Sequence, residues 1–149
     1  MKKLMALLLG GILVLTACGD DNDSGYGTTT TSTVAASVTG TLAMSGGLEG
    51  RQDTWVLEAD GTVLGPDGYT GTVSAADRDR LAAAVEAADF FNLDAEYLPE
   101  DQCCDRFTYV ITITLGAETH TVTTIDAADA PEGLFDVIEV FLDVVRPAA

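Results

Sequence analysis

Apolar and polar residues alternate most strictly across Asp105–Thr114, where Phe107, Tyr109, Ile111 and Ile113 interleave with Thr108, Val110, Thr112 and Thr114. Period-two alternation of aromatic and β-branched residues is the pattern of a pleated strand, here expected to be at least partly covered on both faces. Gly116-Ala117 then marks a turn, and Thr119–Ile125 reads as its antiparallel neighbour. Upstream, Val38, Leu42 and Met44 share one face of a strand over Val38–Met44. Trp55 and Leu57 alternate with Thr54 and Val56 in a second strand, Gln52–Glu58. Asp60-Gly61 is a hairpin signal leading to a short third strand, Thr62–Leu64. Tyr69–Val73 reads as a loop or short strand, and Tyr97–Cys104 as a loop broken by Pro99.

Two segments switch to helical spacing. Leu81, Val85 and Ala88 stand at i, i+4 and i+7 in a run of strong helix formers, opened by Ser74 as N-cap with Asp77 three residues on. The segment closes on the anchors Phe90, Phe91 and Leu93. Leu134, Val137, Ile138, Phe141, Val144 and Val145 form a broader apolar face, with Pro131 suited to the first helical position and Pro147 to the stop. The predicted order is β-β-β-α-β-β-α: an α+β fold with an antiparallel four- to five-stranded sheet and two helices packed on one face.

The N-terminus has a different character. Lys2 and Lys3 precede the apolar run Leu4–Thr16, too short to span a bilayer as a mature helix, which leads into Leu15-Thr16-Ala17-Cys18. This resembles a bacterial lipobox. The resemblance implies cleavage after residue 17, diacylglycerol on the Cys18 thiol and an acylated new N-terminus, enough acyl chain for stable anchoring. Residues 1–17 are thus expected to be a lipoprotein signal peptide, 18–37 a lipidated flexible tether rich in Gly, Ser, Thr and Asp, and 38–146 a single α+β domain. The expected location is the bacterial cell membrane or outer membrane, lipid-anchored and facing the periplasm or exterior.

Charge narrows the partners. The chain carries a formal −17, and loss of Lys2 and Lys3 with no acid takes it to −19, leaving five arginines. Such a surface repels nucleic-acid phosphates and anionic headgroups, so nucleic acid is excluded as a ligand.

Candidate chemistry is sparse. Besides Cys18 the cysteines are Cys103 and Cys104, adjacent in sequence. They are open to a strained vicinal disulfide, to free thiols or to an intermolecular bond. His120 is the one histidine, in a threonine-rich strand, and there is neither zinc-ligand spacing nor a nucleophile elbow. Asp20-x-Asn22-x-Ser24-Gly25 looks like the start of a calcium loop, but Thr31 stands where its bidentate acid belongs. No catalytic residue, metal or cofactor is assigned, and the expectation is a binding module rather than an enzyme.

Four blocks then resemble one family in order and spacing. They are Ser45-Gly46-Gly47-Leu48-x-Gly50; Leu81-x-x-x-Val85-x-x-Ala88-Asp89-Phe90-Phe91-x-Leu93; Asp105-Arg106-Phe107-Thr108-Tyr109; and the paired strand with its closing helix. Together, from about Thr41 to Val145, they look like the emfourin family, small α+β inhibitors of thermolysin-like zinc metalloproteases. The departures are the lipoprotein leader, an insertion-like Gly61–Thr72 region and Cys103-Cys104. The resemblance implies an inhibitor that plugs a protease cleft, with Ser45, Gly46, Gly47, Leu48 and Gly50 as candidate contacts and the zinc belonging to the target. The alternative is an envelope structural or interaction lipoprotein that keeps the fold without the inhibition.

Overall fold

The computed structural model describes residues 37–102 and 105–146. The leader, Cys18, nearly all of the tether and the Cys103–Cys104 pair therefore lie outside the described residues. Seven strands and two helices follow one another: β1 (Val38–Gly46), β2 (Arg51–Leu57), β3 (Thr62–Leu64), β4 (Thr70–Thr72), α1 (Ala75–Ala87), β5 (Glu96–Tyr97), β6 (Phe107–Leu115), β7 (Glu118–Ile125) and α2 (Glu132–Val145). All seven strands join one sheet in the order β4-β3-β2-β1-β6-β7-β5.

This corrects the expected four- to five-stranded antiparallel sheet. The additional strands are short edges: β4 pairs antiparallel with β3, and the two residues of β5 pair parallel with β7. The sheet is therefore mixed. A strand of two or three residues leaves too short an alternation to be read as a period, and a parallel pairing is made by distant chain.

The core lies on one face of the sheet. In register across the four central strands, Leu42 sits between Trp55 and Ile111, and Ile111 pairs with Val122, all four buried. Leu81 and Val85 of α1 and Leu134, Val137, Ile138, Phe141 and Val145 of α2 join the same cluster. Gly40 pairs with Leu57 and Ile113 at the sheet's centre, where a Cβ would stand 2.9 Å from the Phe141 ring. Its missing side chain lets α2 lie down on β1.

The opposite face is only partly covered. No helix covers it among the described residues; Thr39, Thr41, Thr112 and Thr114 are half-buried by one another and Val110 is exposed. The hydroxyls of Thr112 and Thr121, and those of Thr114 and Thr119, lie 2.9 Å apart across β6 and β7, so neighbouring threonines satisfy each other on this face.

The helix starts follow their sequence signals with small changes. Ser74 caps α1, its Oγ accepting from the Asp77 N–H at 3.1 Å and donating to the Asp77 carboxylate at 2.7 Å. Pro131 takes the N-cap of α2 instead of its first helical position, so the helix begins at Glu132, one residue later than anticipated.

Candidate functional site

The β1–β2 hairpin is longer in strand and shorter in loop than its glycines imply. Ser45 and Gly46 are still strand residues, flanked by Gln52 and Arg51 on one side and by Thr108 and Phe107 on the other. The tip proper is Gly47-Leu48-Glu49-Gly50, closed by the Gly50 N–H donating to the Gly47 carbonyl at 3.0 Å. Gly47 has φ +69°, and a Cβ on it would lie 2.7 Å from the Phe107 ring. Gly46 has φ +119°, and a Cβ on it would run into the Arg106 carbonyl, which accepts from the Gly47 N–H at 3.1 Å. At both positions glycine is the residue that fits, because a side chain would meet both the wrong φ and a neighbouring atom.

Leu48 projects from this frame at 87% exposure, the most exposed large apolar side chain among the described residues. Beside it opens a shallow recess of about 370 Å³, floored by Phe107 and rimmed by Glu49, Arg51 and Asp105. The Arg51 guanidinium is held by Asp53 at 2.8 Å.

Phe107 is itself fixed. Its N–H donates to Asp126 Oδ2 at 2.9 Å, and its carbonyl accepts from the Asp126 N–H at 2.9 Å. The other Asp126 oxygen accepts from the Tyr109 hydroxyl at 3.0 Å. Burial, reinforced by that carboxylate, pushes the Tyr109 phenol up to about 12. One carboxylate thus pins the start of β6, which in turn supports the hairpin tip. Neither Phe107 nor Asp126 carries a local signal for this role: they are far apart in sequence, and their link is made by the β6–β7 pairing.

The remaining candidates are dispersed. His120 Nε2 lies 2.9 Å from the Leu93 carbonyl with its ring edge-on to Phe90, which makes it a packing residue between β7 and the turn after α1. Among the described residues no three His, Cys, Asp or Glu side chains gather in a way that would hold a metal. The candidate contacts Ser45, Gly46, Gly47, Leu48 and Gly50 fall together at one end of the sheet, and the chemistry available there is that of a shaped apolar contact.

Sheet, helices and tip define a small α+β module that presents one braced apolar residue. Residues 69–141 match the family model Emfourin, a family of protease-inhibitor-like domains. The matched segment runs from Tyr69 to Phe141, through β4, α1 and β5–β7 into α2, and the hairpin tip precedes it. No curated protein matches the chain significantly.

Proposed function

We propose that this domain is a proteinaceous inhibitor of thermolysin-like zinc metalloproteases, held at a lipid surface through acylated Cys18. The observation that carries the reading is Leu48: a large aliphatic side chain, 87% exposed, on a tip whose backbone is fixed before any partner arrives. Proteases of this class take a large aliphatic side chain into an apolar pocket beside the zinc. A tip already held in shape loses little conformational entropy on docking, which favours affinity. Glycine on both sides of Leu48 and Glu49 leaves the cleft wall free to approach the backbone.

The test is inhibition of a panel of thermolysin-like enzymes by the soluble form, residues 36–149. Burying a leucine side chain contributes about 1.5–3 kcal/mol, and an aspartate in its place adds a desolvated charge. Leu48→Asp should therefore weaken inhibition at least about a hundredfold while leaving the thermal midpoint unchanged. Absence of inhibition at micromolar protein across the panel refutes the reading. A second reading, an envelope interaction lipoprotein, draws on the family match covering only β4 to α2, and neither the tip nor the two strands that carry it. Recovery of envelope components and no protease on the lipidated protein would favour it.

A further inference from the structure

An inhibitor that enters a protease cleft tip-first has to avoid being cut there. We propose that Phe107 is the positioning residue that does this, clamping the tip as a closed turn, and that without its ring the protein becomes a substrate at the bonds flanking Leu48. The inference rests on the inhibitor reading above and concerns what happens after docking.

A protease attacks a peptide laid out along its cleft, with the scissile carbonyl brought to about 3–3.5 Å of the attacking water. Two features of the tip oppose this. The Gly47 carbonyl is already tied to the Gly50 N–H, so the Gly47–Leu48 and Leu48–Glu49 peptides lie inside a closed four-residue turn. On the N-terminal side the chain cannot straighten into the cleft either, because Ser45 and Gly46 are paired on both edges, to β2 and to β6. Extension requires the end of β1 to peel away from β6. What it must leave is the Phe107 ring packed on Gly47 and the Arg106 carbonyl that holds the Gly47 N–H at 3.1 Å.

Phe107 is well placed to be the clamp. It is half-buried and stands outside the core cluster, so its ring serves the tip more than the fold. Its backbone is pinned from behind by Asp126, which leaves the ring as the part free to bear on Gly47. If the turn opens, the protease adds water across one of the two flanking bonds. The water oxygen joins the carbonyl carbon, the C–N bond breaks, and the product chains end in a new carboxylate and a new amine.

The experiment incubates full-length protein with thermolysin and follows intact mass and the sites of cleavage. Wild type should inhibit and stay whole. Phe107→Ala should be cut on either side of Leu48 at least about tenfold faster, with its inhibition decaying as the cut form accumulates. Phe107→Tyr, which keeps the ring, should behave as wild type. Gly47→Ala attacks the same contact from the other side, since its Cβ would push against the ring, and should also be cut at the tip. Near-ultraviolet dichroism of Trp55 separates clamp loss from unfolding. Phe107→Ala that keeps this signal, inhibits and remains intact overturns the proposal, as does cleavage of this variant elsewhere before the tip. Wild type that neither inhibits nor binds overturns the inhibitor reading itself, a result distinct from either.

Discussion

Removing the Asp126 carboxylate should loosen the start of β6 without opening the core. Asp126→Ala deletes two side-chain hydrogen bonds, from the Phe107 N–H at 2.9 Å and the Tyr109 hydroxyl at 3.0 Å, and keeps the backbone bond to the Phe107 carbonyl. Bonds to a charged acceptor contribute about 1.5–3 kcal/mol each when buried, and at these half-buried residues water replaces much of that. The pair should therefore cost about 2 kcal/mol, a fall of about 8 °C in thermal midpoint for a domain of this size. A second readout comes from Tyr109. Its phenol is raised to about 12, by burial first and by Asp126 next, so the variant should titrate lower but still above the ordinary 10. A folded-state value above the unfolded one means the contribution to stability is complete below pH 10 and is lost as pH rises towards 12. For a half-exposed phenol solvent screening limits this to about 1 kcal/mol. Denaturant unfolding near neutral pH and in that alkaline window, with absorbance titration of the tyrosines and Tyr109→Phe to assign the signal, measures both. A variant with wild-type stability and an unmoved tyrosine titration would refute the pinning of β6 assigned to Asp126.

Two other substitutions probe the scaffold. Ser74→Ala removes the N-cap of α1 and should lower stability by about 1 kcal/mol in denaturant unfolding, with Ser74→Asp largely restoring it. Gly40→Ala puts a methyl group 2.8 Å from the Thr112 carbonyl and 2.9 Å from the Phe141 ring. It should cost about 1–3 kcal/mol through overpacking, and a stability at or above wild type would show that α2 can shift to make room.

What the chain discloses before folding depends on how local the cause is. The alternation of β6, the Asp60-Gly61 turn and the Ser74 cap all act within a few residues, and each appears where its pattern points. Leu48 stands out because it is the one large apolar residue among glycines, and the structure exposes it. The causes that escape are long-range. β5 consists of two residues whose partner lies on β7, and Phe107 depends on Asp126 and Gly47, each one residue beyond the end of another strand. The threonines of the open face show only that this face is partly covered; that their hydroxyls pair across β6 and β7 depends on the register between the two strands.

The place of β1 at the middle of the sheet has a kinetic consequence. The N-terminal strand of the domain pairs with β6 from Val38–Leu115 at one end to Gly46–Phe107 at the other, so the chain from Gly47 to Arg106 is enclosed in the loop that this pairing closes. Closing a loop of that size costs about 3–4 kcal/mol of chain entropy before any contact repays it. Such non-local pairing places the domain among the slower folders of its size. It also means that β2, β3 and β4 have no completed sheet to join until β6 has been synthesised. The segment 69–141, though it carries the family's pattern, would leave β6 with a bare edge where β1 belongs, and it should not fold when cut free.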